Sequence, residues 1–224
     1  MAILESKVPS TDLSEETTRE RIINAAGEVF AEQGFERATV RAITQRAGVN
    51  VAAINYHFGD KAELYSRVIL DACAGHKVAD LVKAEGIADP QQRLRSIIFH
   101  WLHFMLDPDR PQWKRLLMAR EMANPTVALD QLVENSIRPL RDQCLRPTLS
   151  ELTENRFDEK QWRYLSGSIM GQCNYYLQSK PIVDRLYPGF EIGKAEINEL
   201  ADHIARFSLA AITEMTRQER RKKP

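Results

Sequence analysis

The chain has few groupings that could support bond-making chemistry. His100 and His103 stand three apart, with Asp107 four residues further on. On one helix that spacing turns two imidazoles and a carboxylate toward a common metal. Trp101, Phe104 and Met105 interleave them, however, and Asp107 precedes Pro108 at a turn, so helix-end histidines with ordinary hydrogen bonds are the simpler reading. Cys73, Cys144 and Cys173 are odd in number, scattered and without a CxxC pair, which argues against a disulfide framework or a zinc finger. No serine, cysteine and histidine form a recognisable nucleophile with its base, and there is no glycine-rich phosphate loop. No catalytic residue, metal set or cofactor is therefore expected.

Binding chemistry is easier to find. The segment Val51-Ala52-Ala53-Ile54-Asn55-Tyr56-His57 carries no formal charge, although a solvated helix normally shows Lys and Glu. Methyl groups and one amide suit contact with base edges and thymine methyls, while neighbouring residues hold phosphates. The elements that must position this segment can be read from spacing. Thr39 is placed to cap a helix in which Val40, Ile43 and Ala47 form one apolar face. Gly48 follows where a chain leaves a helix left-handed. Asn50 caps a second helix, Val51 to Phe58, with Ile54 and Phe58 inward. Gly59 ends it, and Asp60-Lys61-Ala62-Glu63 reads as a capping box for the next. Two short helices around a tight turn have the size to place the second in a major groove. An ordinary helical hairpin in a bundle core is the competing reading of the spacing alone.

At this point the sequence resembles a known family. ATVRAITQRAGVNVAAINYHFGDKAELY is similar to the DNA-binding region of the TetR family of bacterial repressors, and RERIINAAGEVFAEQGFERATV is similar to that family's first helix. The NYHF variant, REMANPTVALDQLVE and SIMGQCNYYLQSKP resemble its CecR-type (YbiH-like) branch. The resemblance implies a homodimeric regulator that binds double-stranded operator DNA and a small-molecule inducer. Arg41, Tyr56, His57 and Lys61 stand at or beside positions that grip phosphates in the family. The expected DNA-contacting set is Thr39, Arg41, Asn50, Val51, Ala52, Ala53, Asn55, Tyr56, His57 and Lys61. Asn55 is the best hydrogen-bonding candidate, although the family usually has an aromatic residue there.

The rest of the chain reads as helices. Residues 1–13 lack periodicity and suggest a flexible arm; Ser14 or Thr17 caps a first helix with Ile22, Ala26, Val29 and Phe30 buried, closed by Gly34. A fourth helix runs from Lys61 to about Ala84. Apolar spacing predicts further helices from Gln91 to Leu106, through Trp113 to about Asn124, from about Ala128 to Leu152 with Pro139 and Pro147 kinking or dividing it, from Asp158 to about Gln178, and from Lys194 to about Arg217. Residues 180–193, with two prolines, read as a loop. Methionines and flat aromatic rings suit an apolar cavity for varied small molecules. Its expected lining is Trp101, Phe104, Met105, Trp113, Met118, Glu121, Met122, Tyr164 and Cys173. Arg120 and Glu121 are the nearest ionisable candidates for orienting a ligand, a surface pair being the alternative. Gly167, Ser168 and Gly171 allow close helix approach and, with Tyr175, Ile204, Phe207 and Ala211, form the expected dimer interface, an intrachain core being the alternative.

Length and composition are those of a globular helical protein. The chain has 224 residues, 43% of them hydrophobic and 28% charged, with net charge +0. Between Arg37 and Arg67, five basic residues stand against two acidic ones, so positive charge gathers in the proposed reading head. Without an apolar run of membrane length or a signal segment, a cytoplasmic location is expected. The expectation is an all-α protein: an arm (1–13), a helix-turn-helix DNA-binding domain (14–62), a helical ligand-binding and dimerisation domain (63–217) and a basic tail (218–224). It would act as a repressor released by an inducer, with efflux or toxic-compound resistance genes as candidate targets. A ligand-independent regulator and a metal-dependent helical enzyme built on His100 and His103 are the rival readings.

Overall fold

The computed structural model describes residues 10–74 and 86–222, and they contain helices and no strand. The helices are α1 (Ser10–Arg37), α2 (Val40–Ala47), α3 (Val51–Phe58), α4 (Lys61–Ala74), α5 (Pro90–Leu106), α6 (Gln112–Ala123), α7 (Ala128–Leu132), α8 (Arg146–Leu152), α9 (Glu159–Gln178), α10 (Lys180–Leu186) and α11 (Lys194–Lys222). None of the described helices is long and apolar enough to cross a membrane.

Local chemistry sets the first boundaries. α1 starts at Ser10, so residues 10–13, expected in the arm, are helical; residues 1–9 lie outside the described part. At Gly34 the chain takes φ 76° and ψ 166°, which breaks the helix and lets Phe35 fold back against Phe30 and Tyr65. The Thr39 hydroxyl accepts from Ala42 N at 3.1 Å, and Gly48 ends α2 at φ 65°, a left-handed exit. Arg21 holds that exit by donating to the carbonyls of Ala47 and Gly48. Asn50 accepts from Ala53 N at 2.9 Å and starts α3. Asp60 accepts from Glu63 N at 2.8 Å at the head of α4. The expected run of that helix to Ala84 leaves the described residues after Ala74.

The prolines do not divide the helix, one of the two expected outcomes. From 128 to 152 the chain stays helical, but it widens into π turns at Val133–Ile137 and Leu140–Leu145. Pro139 and Pro147 have no N–H for the carbonyl four residues back, and their rings crowd it. The helix accommodates each by slipping one residue. Arg138 N–H bonds to the Val133 carbonyl and Arg146 N–H to that of Arg141, so the rod is neither broken nor divided. Two other boundaries differ. Residues 180–186 form α10 because Pro181 falls in the first turn, where its missing N–H costs nothing. The basic end is helical to Lys222, not a solvated tail: Glu219 is buried and accepts from Gln161 Nε2 at 2.9 Å, and Arg220 pairs with Glu154.

Two apolar cores result. The first joins α1 to α4 with Trp113, Leu117 and Met118 of α6 and with Ala128 and Leu132 of α7. The second joins α5, the rod beyond Leu140, α9 and α11. A packing boundary after residue 62 is therefore not found, because Leu64, Tyr65, Val68 and Ile69 are buried in the first core. The chain enters that core twice, at α1–α4 and again at α6–α7.

Candidate DNA-reading helix and ligand cavity

α3 presents the uncharged face. Ile54 and Phe58 are fully or nearly fully buried, whereas Val51 is 49% and Tyr56 75% exposed; Ala52 and Asn55 are exposed as well. Ala53 and His57 are half-buried, and Ala53 packs against the first core. The Tyr56 ring stands edge-on to His57, with centroids 5.0 Å apart. Thr39 and Asn50 are exposed helix caps with their oxygens engaged by backbone N–H groups. The expected contact residues thus share one end of the molecule, on α2, α3 and the turns beside them.

The cations there divide into engaged and open. Arg46 donates to Glu32 at 2.8 Å, which raises its pKa, and lies 3.7 Å from Glu28. Lys61 Nζ donates to the carbonyls of Phe35 (2.9 Å) and Ala38 (3.2 Å) and lies 4.4 Å from the Phe35 ring centroid. This ammonium closes the end of α1 rather than projecting from the head. Arg41 is exposed; its carbonyl accepts from the Thr44 hydroxyl at 2.9 Å, while among the described residues its guanidinium has no hydrogen-bond or ion-pair partner.

A cavity of about 1660 Å³ lies between the two cores. It brings together five expected residues: Trp101, Phe104, Met105, Met118 and Met122. Trp101 Nε1 donates to Asn174 Oδ1 at 3.0 Å. The other four expected lining residues lie elsewhere. Trp113 is buried in the first core beneath Gly27, Cys173 is buried in the second, and Tyr164 is 65% exposed on α9. Glu121 is fully buried and accepts from Tyr65 Oη (2.8 Å) and from the N–H (2.9 Å) and hydroxyl of Thr126. Arg120 donates to the carbonyls of Ala31 and Glu32, so the two residues are neither a surface pair nor a ligand clamp. The sequence reading missed Leu70 and Cys73 of α4, His100 and Asn174, and the α10 side of the wall. Asn174 had a usable signal, an amide one turn beyond Met170 on an apolar stripe; α10 is too short to show periodicity.

Arg110 connects this wall to α4. Its guanidinium lies 4.0 Å from the Phe104 ring centroid and donates to the carbonyls of Phe104 and Ala72. Burial lowers its pKa. Lys114 adds an ion pair with Asp71 at 3.0 Å.

His100 lines the cavity, His103 Nδ1 lies 3.7 Å from Asp107 Oδ2, and the described residues contain no group of three or more potential metal ligands. Of the expected dimer residues, Gly167, Ser168, Gly171 and Tyr175 on α9 and Phe207 on α11 are exposed, and Ala211 is half-buried. Ile204 is 1% exposed and packs in the second core of its own chain.

Residues 22–68 match the family described as bacterial regulatory proteins, tetR family. Residues 90–212 match the C-terminal domain of the HTH-type transcriptional dual regulator CecR. The chain is 32% identical to the HTH-type transcriptional repressor NicS of Pseudomonas putida over 41% of its own length and 44% of that protein's, so it spans less than half of that relative. It is 30% identical to the HTH-type transcriptional regulator SrpR of Pseudomonas putida, over 74% of this chain and 78% of SrpR. In fold it is similar to the transcriptional regulator FadR from Bacillus subtilis, solved in complex with stearoyl-CoA, with TM-score 0.64 and 17% identity over 85% of this chain and 97% of that one. These relatives are regulators of transcription, not enzymes. The chain belongs to the TetR family of bacterial transcriptional regulators, with a CecR-type C-terminal domain.

Proposed function

We propose that the protein is a dimeric repressor that reads operator DNA with α3 and is released when a small molecule enters the cavity between the cores. The observation that carries this reading is the double role of α4. Its buried face supports the reading head, while Leu70 and Cys73 form part of the cavity wall. A ligand that spreads the wall acts directly on the helix beneath the head, and Arg110 links the Phe104 side of the wall to the Ala72 carbonyl. A roomy apolar cavity also fits control of genes for export or resistance to toxic compounds.

On the DNA side, Arg41, Tyr56 and His57 hold phosphates, Val51, Ala52 and Ala53 offer methyl contacts, and Asn55 bonds a base edge, preferably adenine. With Arg46 paired to Glu32 at the surface and Lys61 bonded to the carbonyls at the end of α1, few counterions are released per half-site, and the salt dependence of binding is shallow. The test is a titration of single-base operator variants against Asn55→Ala at two salt concentrations. A loss of about 1–3 kcal/mol on the operator, with preference flattened at one base pair per half-site, is the expected result. An equal loss on every variant makes Asn55 a backbone contact and assigns sequence reading to methyls and DNA shape.

A further inference from the structure

Among the described residues, the cavity is uncharged where it is deep. Its buried floor is Cys73, Met118, Leu132 and Leu140, and Trp101, Phe104, Met105 and Met170 add half-buried wall. The charged residues on the lining are engaged with their own chain or lie at the exposed rim. Arg115 donates to the carbonyls of Asp107 (3.0 Å) and Arg110 (3.4 Å). Lys180 pairs with Asp184 at 2.9 Å, Arg185 bonds the Pro181 carbonyl, and Glu191 is exposed. An ion placed on the floor loses its hydration; a cation there also meets the Arg110 and Lys114 charges felt at Cys73, and an anion finds only cations whose N–H groups are already bonded to the chain, which makes that position unfavourable.

Neutral polar groups do reach the lining. Asn174 accepts from Trp101 through its oxygen, which leaves its amide N–H groups to meet an acceptor; Gln112, Ser136 and Gln178 lie on the same lining. The space, about 1660 Å³, exceeds the usual ~300–1,000 Å³ of a small-molecule pocket. The Trp101 and Phe104 rings, 6.2 Å apart and tilted by 49° to each other, form an aromatic corner, and the methionines beside them adapt to shape.

We infer that the effector is a bulky neutral molecule: an aromatic or polycyclic apolar body with hydrogen-bond acceptors and no ionised group in its buried part. This rests on the reading of the cavity as the effector site and narrows it to a chemical class. Ionised molecules of the same shape are discriminated against chiefly by desolvation, to which the nearby Arg110 and Lys114 charges add repulsion for cations.

A matched pair of dyes tests the inference on the full chain. N-Phenylnaphthylamine is neutral; anilinonaphthalene sulfonate has a similar skeleton with one sulfonate. Dye fluorescence is titrated with the parent and with Met105→Trp, which fills part of the cavity at a half-buried position. The expected result is N-phenylnaphthylamine binding that is lost in Met105→Trp, with the sulfonate bound at least about tenfold more weakly at that site. If the Met105→Trp-sensitive affinity of the sulfonate is within tenfold of the neutral dye's or tighter, the neutral class is overturned and the cavity reading stands. If neither dye gives a signal sensitive to Met105→Trp, the cavity itself is not the binding site and both readings fall.

Discussion

Lys61 has the charge and position of a phosphate grip, yet its ammonium is engaged by the carbonyls that end α1. Lys61→Met is expected to lower folding stability by about 1–3 kcal/mol in urea unfolding, because it strips donors from partly buried acceptors. The salt slope of operator binding should barely change. Arg41→Ala should show the opposite pattern, near-parental stability with a slope shallower by about one unit per half-site. Tyr65 illustrates a second long-range contact. Burial first, and then its hydrogen bond to Glu121, push its pKa above the ordinary 10.0. Burial also raises the Cys73 thiol to about 11 and the Cys173 thiol to about 12. In each case the unfolded chain ionises first, so stability is complete below about pH 9 and falls as the solution becomes more alkaline. Chemical denaturation at stepped pH should show that decline, and Cys173→Ala should make it shallower. Caps such as Thr39, Asn50 and Asp60 were legible because cap and partner lie within three residues. The roles of Lys61 and Glu121 were not: Tyr65 and Glu121 are 56 positions apart, and their pairing exists only once the helices have packed.

Helix positions followed apolar spacing wherever a helix ran several turns, as in α5, α6 and α9. Spacing failed where a helix is short, as in α10, and where polar residues continue it, as at the end of α11. It also gave no sign of π turns, since a proline's effect depends on whether packing on both sides holds the rod together. The contact between α1 and α6 is the closest test of packing. An ideal Cβ on Gly27 would lie 2.4 Å from Trp113 Cε3. Gly27→Ala should therefore cost about 1–3 kcal/mol despite alanine's better helix propensity. Trp113→Leu should recover part of that loss in a double-mutant cycle. A stabilised Gly27→Ala protein would show that the indole has room to move.

In the molecule as a whole, the cavity lies on the seam between two cores, one carrying the reading head and the other holding α9 and α11. The all-helical class and the reading head were legible in the sequence, the head because its caps, turns and apolar face are local. The second visit of the chain to the first core was not, since it depends on Trp113, Leu117 and Met118 finding α1 and α4 in space. The exposed face of α9 supports the proposed dimer. A Cβ added at Gly171 meets nothing within 4 Å, so Gly171→Arg leaves the single chain unstrained. If α9 is the interface, sedimentation should then show a folded monomer with operator affinity reduced at least about tenfold. A dimeric Gly171→Arg protein would move the interface elsewhere.

The glycine beneath Trp113 also bears on modularity. A hybrid regulator made by exchanging only residues 10–74 for another protein's head would set the indole against whatever side chain the donor has at position 27. Carrying 112–132 along with the head keeps lock and key together, with one splice point in the turn before α6 and the other within the helical rod after Leu132. The transplantable unit in this protein is thus discontinuous in sequence. Hybrids that carry both segments should retain the donor's operator preference, while hybrids that carry only 10–74 should express poorly unless the donor also has glycine there.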